Sequence, residues 1–142
     1  GDYHMVVYIW VQNSDGKFLL TKRSPNKGFP NLWETTGGSA LAGDDSLTAA
    51  MREVREETGL ALRPEHATLL FTRKGENYFS DYWLFRQDFD LQNVVLQEGE
   101  TCDKMCADEE LIRRMHADGT FVPNRYLNDI FDAIHAANEN HQ

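Results

Sequence analysis

Short apolar runs and helical repeats alternate along this chain. The first run, residues 5–11, is continuous and rich in β-branched and aromatic side chains, so it predicts a buried strand. The turn signal at residues 13–16 separates it from a second predicted strand at residues 18–22. Further strands are predicted at residues 32–36, 67–72 and 78–85.

Polar and glycine-containing segments predict the connections. Residues 24–31 contain two prolines and a glycine, which favours a loop. Gly37 and Gly38 are expected to end the short strand before them, and the mixed segment 91–103 is also expected to be a loop.

Three segments have helical periodicity. Residues 44–58 form the first predicted helix, and Gly59 is suited to a left-handed C-cap. Asp108 is the predicted N-cap of a second helix that ends at Gly119, and Asn124 is the predicted N-cap of a third. The apolar positions of these two helices are Leu111, Ile112 and Met115, and then Leu127, Ile130, Phe131 and Ile134. Mixed helices and strands, with the strands often adjacent, indicate an α/β fold with helices packed on a mixed sheet.

Size and charge limit the function classes. The 142 residues predict one domain, residues 1–142, and because Gly1 is not a methionine, a truncated N-terminus is left open. The formal net charge of −9 argues against a nucleic-acid partner, since such proteins usually carry basic patches. No apolar run approaches a membrane span and no signal peptide is evident, so we expect a cytoplasmic protein without a membrane partner. A homodimer is left open.

The cysteines and histidines do not predict a metal site. Cys102 and Cys106 lie four residues apart, and no nearby pair completes a four-ligand zinc site. Two reduced thiols in a cytosolic protein are the simpler interpretation. The five histidines are scattered along the chain.

The first helix carries the main candidate chemistry. At 100° per residue, Glu53, Glu56 and Glu57 fall within about 100° of arc, on one edge that is expected to be exposed. We call these three residues the acidic edge. Leu47, Ala50, Met51, Val54 and Thr58 form a second face that is expected to pack inward.

The acidic edge is locally unfavourable. Glu53 and Glu57 repel at i, i+4, and all three carboxylates lie near the helix C-terminus, where the helix dipole disfavours anions. Arg52 and Arg55 offset part of this cost. A solvated helix face is one interpretation of the edge. The other is a site for Mg²⁺, which prefers hard oxygen ligands.

The segment from Gly38 to Leu60 resembles the Nudix box. That motif is a glycine, five residues, a glutamate, seven residues, and then Arg-Glu-apolar-x-Glu-Glu-x-Gly-apolar. The matching residues here are Gly38, Arg52, Glu53, Val54, Glu56, Glu57, Gly59 and Leu60. Asp44 stands where the first glutamate of the box belongs, and we expect it to give weaker support rather than a direct role. The resemblance implies a MutT-like Nudix α/β/α sandwich over nearly the whole chain.

The resemblance also implies an activity and a set of roles. Nudix enzymes are Mg²⁺-dependent hydrolases, with Mn²⁺ as a substitute, that cleave the diphosphate linkage of a nucleoside diphosphate joined to another group. The resemblance assigns Glu56 and Glu57 as metal ligands and Glu53 as a metal ligand or general base. It assigns Arg52 as the residue that orients Glu53 or Glu56. Because family members often add a distant loop carboxylate, Glu100 or Glu98 is expected to complete the metal site. Gly37 and Gly38 are expected to let their loop fold against the box helix.

Substrate contacts are assigned to other positions. Arg23, Trp33 and Gly38 are the candidate residues, and Lys27 is a further candidate for a phosphate contact. Tyr78, Phe79, Tyr82 and Trp83 are expected either to stack a base or to fill the core.

Two alternatives are considered. Residues 29–33 and 37–41 resemble a Nudix branch close to isopentenyl-diphosphate isomerase, but that isomerase needs a cysteine just after this tryptophan strand, and residues 34–39 contain none. A catalytically silent Nudix-fold binding module usually loses box glutamates, whereas this chain keeps three of them.

Overall fold

The computed structural model describes residues 4–140, which form a seven-stranded mixed sheet and three helices. The strands are β1 His4–Gln12, β2 Phe18–Arg23, β3 Trp33–Glu34, β4 Thr36–Ser39, β5 Ala67–Lys74, β6 Tyr78–Arg86 and β7 Thr101–Ala107. The helices are α1 Ser46–Thr58, α2 Glu109–Asp118 and α3 Leu127–Glu139.

Strand β1 is the centre of the sheet, whose main order is β3-β2-β1-β6-β5. It pairs in parallel with β6 along its whole length. Its other side pairs antiparallel with β4 from Val6 to Ile9 and with β2 only at Gln12. β7 pairs antiparallel with β2. The sheet therefore divides beside β1, with β4 on one arm and β2, β3 and β7 on the other.

Alternation along β1 builds two cores, one on each side of the sheet. Val7, Ile9 and Val11 point to the side covered by α1. Trp10 points to the opposite side, where it packs with residues of α2 and α3 such as Ile112 and Phe131. This arrangement confirms the predicted α/β/α sandwich.

Helix α1 begins two residues later than predicted. Asp45, not Asp44, is its N-cap and accepts a hydrogen bond of 2.7 Å from the backbone N–H of Thr48. The predicted C-cap is confirmed, because Gly59 has φ 77° and its N–H donates to the carbonyl of Arg55.

Gly37 and Gly38 do not end a strand, which corrects one prediction. The predicted strand at residues 32–36 is divided into β3 and β4, and both glycines lie inside β4, opposite Tyr8 and Val7 of β1. Neither has a positive φ. Instead, the lack of a side chain at both positions lets neighbouring side chains lie directly against the backbone of β4. A Cβ on Gly37 would lie 3.1 Å from the ring of Tyr8, and a Cβ on Gly38 would overlap Glu53.

Two other boundaries differ from the predictions. β7 begins inside the segment predicted to be a loop. The sequence does not indicate this strand, because most of its side chains are polar or partly exposed and show no clear alternation. Helix α3 is capped at Tyr126 rather than Asn124. Asn124 acts just before the helix, where its Oδ1 accepts from the N–H of Tyr126 at 2.9 Å. The Asp108 cap of α2 is confirmed.

Within residues 4–140, no helix is both long and apolar enough to cross a bilayer.

Candidate active site

A cavity of about 880 Å³ opens where β1 changes partner between β4 and β2. Its lining residues come from β1 to β4, from β6, from the start of β7, from α1, and from the loops before β7 and α3. Its charged lining residues are Arg23, Lys27, Glu34, Glu53, Glu56, Glu57, Glu100 and Arg125. Five carboxylates therefore face one cavity.

The acidic edge lies in the second half of α1, beside β4. An ideal Cβ on Gly38 would lie 2.2 Å from Cδ of Glu53, far inside van der Waals contact. The absence of a side chain at Gly38 thus lets the helix carboxylate pack directly on the strand. Sequence reasoning placed this glycine against the box helix and among the substrate residues, and the structure puts it in the cavity lining, touching Glu53.

Arg52 holds two carboxylates of the acidic edge from behind. Its Nη1 donates to Glu53 Oε1 at 3.1 Å and to Glu56 Oε1 at 3.3 Å. Its Nε reaches Asp44 Oδ2 at 3.3 Å, and its Nη2 donates to the carbonyl of Ser39 at 3.1 Å. Arg52 therefore contacts both of the carboxylates that it is predicted to orient, and Asp44 in turn contacts Arg52.

Glu57 has a different environment from its two neighbours. Its Oε1 accepts a hydrogen bond of 2.8 Å from the hydroxyl of Thr21 in β2. Desolvation by burial raises the pKa of Glu57 to about 7, and the nearby Glu34 and Glu53 add to the rise, while hydrogen bonds from Thr21 and Thr36 oppose it. The acidic edge is thus less exposed than expected: Glu56 is exposed, whereas Glu53 and Glu57 are half-buried.

Glu34 is a cavity carboxylate that sequence reasoning missed. It lies opposite Thr21 in the β2–β3 pair, and both of its oxygens accept from Arg23 Nη1, at 3.0 and 3.1 Å. Burial raises the pKa of Glu34 even though Arg23 opposes the rise. The sequence feature that could have indicated Glu34 is its position as a charged residue next to Trp33, in a segment predicted to be a strand.

The remaining predicted positions are divided between the cavity and other places. Glu100 lines the cavity and forms an ion pair with Lys27, whereas Glu98 is exposed and outside the lining. Arg23 lines the cavity. Trp33 does not: its backbone bonds to Thr120 and Val122 instead, so it fixes the segment that precedes α3.

Aromatic side chains line a second part of the cavity. Tyr8 and Tyr82 stack with ring centroids 4.9 Å apart, and the guanidinium of Arg73 lies 3.6 Å from the ring centroid of Tyr126. We call Tyr8, Trp10, Tyr82, Phe121 and Tyr126 the aromatic wall. Of the four aromatic residues singled out on β6, only Tyr82 belongs to it. Trp83 instead donates to Ser46 at 2.9 Å on the α1 side of the sheet.

The donor set fits a divalent cation, although the side chains do not converge on one. Within residues 4–140, no three His, Cys, Asp or Glu side chains are grouped closely enough to hold an ion. Four of the five cavity carboxylates form ion pairs with basic side chains of the protein. Arg52 pairs with Glu53 and Glu56, Arg23 with Glu34, and Lys27 with Glu100. Glu57 is the exception, because the hydroxyls of threonines donate to it and its closest charged neighbours are carboxylates. A partly desolvated anion in such surroundings gains most from a hard cation.

Neither cysteine belongs to this site. Cys102 is exposed on β7, with its Sγ 3.6 Å from the carbonyl of Arg23, and Cys106 is half-buried. Both are absent from the cavity lining, and no group of zinc ligands includes them among the residues that the structure describes.

Comparison with known proteins places this site in a family. Residues 2–123 match the NUDIX domain. The chain is 35% identical over 138 residues to a Nudix hydrolase of Listeria innocua, an alignment that covers 96% of this chain and 82% of the relative. It is 45% identical to the m7GpppN-mRNA hydrolase of Xenopus laevis, but over 58 residues, 40% of this chain and 20% of that protein.

Solved structures share the fold. A NUDIX hydrolase from Nitrosomonas europaea superposes with a TM-score of 0.73 at 18% identity, covering 96% of this chain and 90% of that one. The MutT protein from Methanosarcina mazei gives 0.69 at 22% identity, covering 99% and 97%. The matched domain and the Listeria relative show that the chain belongs to the Nudix hydrolases, enzymes that cleave pyrophosphate bonds in nucleoside diphosphate derivatives with divalent metal ions.

Proposed function

We propose that this protein is a Mg²⁺-dependent hydrolase that cleaves the diphosphate linkage of a nucleoside diphosphate joined to another group. The observation that carries the proposal is the position of Glu57, a half-buried carboxylate without a cationic partner among residues 4–140 that faces the same cavity as Glu34 and Glu53. Mn²⁺ is expected to replace Mg²⁺, because both prefer carboxylate oxygens.

Glu56 and Glu57 are the proposed metal ligands, together with Glu53 and Glu100. When bound, the metal neutralises the phosphate oxygens and lowers the pKa of an attacking water. Glu53 either joins these ligands or accepts the proton of that water. Arg52 keeps Glu53 and Glu56 aimed into the cavity through its charge-assisted hydrogen bonds.

Arg23 and Lys27 are the proposed phosphate contacts. Both line the cavity and both are paired with carboxylates, Glu34 and Glu100 respectively. Arg23 is fixed further by a bond of 2.6 Å from its Nε to the carbonyl of Gly28. With Glu100 as a metal ligand, Lys27 would lose its ion-pair partner and could meet a phosphate oxygen. The paired charges thus supply both the cation ligands and the anion contacts.

The aromatic wall is the proposed location of the nucleoside. Tyr8 and Tyr82 already stack on each other, and a flat base can extend such a stack. Asn124 and Arg125 also line the cavity, next to Tyr126 in the chain, and they offer hydrogen-bond donors to the polar edge of a base. The proposed substrate is therefore a small molecule, in keeping with the net charge of −9. The proposed location of the protein is the cytoplasm.

The isomerase alternative finds no support at the cavity. Isomerisation would require a proton-transferring cysteine near the substrate, and both cysteines lie on β7, outside the lining. A silent binding module is also disfavoured, because all three carboxylates of the acidic edge reach the cavity.

A substrate panel tests the proposal. Nucleoside triphosphates, ADP-ribose, dinucleoside polyphosphates, nucleotide sugars and non-nucleotide diphosphates are incubated with Mg²⁺, with Mn²⁺ and with chelator, and the products are identified by mass spectrometry. We expect at least one nucleotide to be cleaved between two phosphates in the presence of metal alone. Mg²⁺ binding without turnover on the whole panel would favour the silent module.

A further inference from the structure

We propose that Thr21 is a positioning residue that fixes Glu57 for cation binding by means of a neutral hydrogen bond. This inference rests on the proposed function, because it takes Glu57 to be a metal ligand. Thr21 lies on β2, outside the motif that assigns the metal site, and its contribution is to the geometry of Glu57 rather than to the reacting atoms.

The sheet register brings Thr21 to Glu57. Leu19 packs in the core on the α1 side, so alternation turns Thr21 to the same side. Its cross-strand partner is Glu34, which faces the same cavity. The hydroxyl of Thr21 donates to Glu57 Oε1 at 2.8 Å, across 36 positions of sequence.

The burial of Thr21 indicates that its hydroxyl has a specific hydrogen-bonding role. Thr21 is 2% exposed and belongs to a strand whose preceding residues, Phe18, Leu19 and Leu20, are all buried and apolar. Valine has the same shape and suits a buried strand equally well. Burying a hydroxyl costs free energy unless it is hydrogen-bonded, and here Glu57 is the acceptor.

The charge of the donor separates Glu57 from the rest of the acidic edge. Glu53 and Glu56 are held by the guanidinium of Arg52, a cation that must be outcompeted before another cation binds. Among residues 4–140, no lysine, arginine or histidine forms a salt bridge with Glu57. The hydroxyl of Thr21 on Oε1 restrains the side chain without adding positive charge, and the further side-chain hydrogen bond from Thr36 is equally neutral. Restraint of a flexible glutamate before binding reduces the entropy lost on binding.

The test compares Thr21→Val, Thr21→Ser and Thr72→Val with the wild-type chain. Thr72 is the matched control, because its hydroxyl also bonds a carboxylate on this sheet, Asp81 at 2.6 Å, outside the cavity. Mn²⁺ affinity is measured without substrate by electron paramagnetic resonance, and the Mg²⁺ concentration for half-maximal turnover is measured separately. Melting temperature in chelator reports on folding.

We expect Thr21→Val to weaken Mn²⁺ binding about 10- to 150-fold and to raise the Mg²⁺ requirement similarly, which is the range for one hydrogen bond to a charged group. Thr21→Ser should stay within about threefold of wild type, because it keeps the hydroxyl. Thr72→Val should leave both metal readouts unchanged.

Equal Mn²⁺ affinity in Thr21→Val and wild type would overturn the inference while leaving the hydrolase assignment intact. So would a failure of Thr21→Ser to restore affinity. If wild type itself bound no Mn²⁺ and turned over no substrate, the proposed function and the inference would both fall. Should Thr21→Val melt far below wild type, Thr21→Ser against Thr21→Ala carries the same comparison.

Discussion

Replacing Glu57 with glutamine removes a charge that the folded, metal-free protein holds at a cost. Burial raises the pKa of this carboxyl from 4.5 to about 7. A tenfold difference in proton affinity between the folded and unfolded chains corresponds to about 1.4 kcal/mol, so the ionised side chain destabilises the fold by on the order of 3 kcal/mol at pH 8. Glutamine keeps the shape and an oxygen that can accept from Thr21.

The pH dependence of this effect has a defined sign. Because the folded-state pKa of Glu57 is raised, the folded chain binds the proton more tightly than the unfolded chain. The free energy of unfolding therefore falls as pH rises from about 4.5 to about 7, as far as this group contributes. Glu57→Gln should remove that part of the decline, so its advantage over wild type should be large at pH 8 and small at pH 5.

Calorimetry in chelator and a turnover assay measure the two halves of this prediction. At 2–4 °C per kcal/mol for a chain of roughly this size, we expect the melting temperature of Glu57→Gln to rise by about 6–12 °C at pH 8. Turnover with Mg²⁺ should fall at least about a hundredfold, since a ligand of the reacting complex is lost. Glu98→Gln is the control, because it changes the net charge equally at an exposed position outside the cavity.

The outcome that refutes this reasoning is a clear loss of melting temperature together with surviving turnover. Glu57 would then be a structural residue whose interactions stabilise the fold. The Glu53→Gln variant gives a contrast, because its carboxylate is paired with Arg52 at 3.1 Å. It should lose turnover to a similar extent but gain less stability.

Three further predictions concern other parts of the site. Gly38→Ala should lose most of its turnover, because the added Cβ would displace the carboxylate of Glu53. Gly28→Ala is the control and should keep its turnover, because a Cβ there meets nothing within 4 Å; equal activity of the two variants would contradict the packing argument. Asp44→Ala should lower turnover by less than about tenfold and the melting temperature slightly, since it removes one support of an arginine that keeps other partners; total loss in a folded variant would give Asp44 a direct role. The double variant Cys102→Ser and Cys106→Ser should keep its turnover and metal content, and loss of bound zinc, measured by atomic absorption, would show a structural metal instead.

Most of the fold follows from local patterns in the sequence. The apolar run of β1, the periodicity of α1 and the caps at Asp108 and Gly59 each depend on neighbouring residues, and the structure confirms them. β7 could not be predicted in this way. It is a strand because β2 provides a pairing edge distant in sequence, not because its own side chains alternate.

The same distinction applies to the site. The acidic edge could be predicted because its three carboxylates belong to one helix and one motif. Glu34 and Thr21 could not, because their proximity to Glu57 depends on the β2–β3 register and on where α1 packs. The ion pair of Lys27 with Glu100 likewise joins two loops that are 73 positions apart.

The most direct test of the account is the fate of oxygen during turnover. The wild-type chain and Glu57→Gln are incubated with Mg²⁺ and a cleaved nucleotide in ¹⁸O-labelled water, and the products are analysed by mass spectrometry. We predict that wild type places one ¹⁸O in a phosphate-containing product, that chelator abolishes this, and that Glu57→Gln reduces it at least about a hundredfold. Metal-independent incorporation, or equal incorporation by the variant, would contradict a metal-assisted hydrolysis built on the acidic edge.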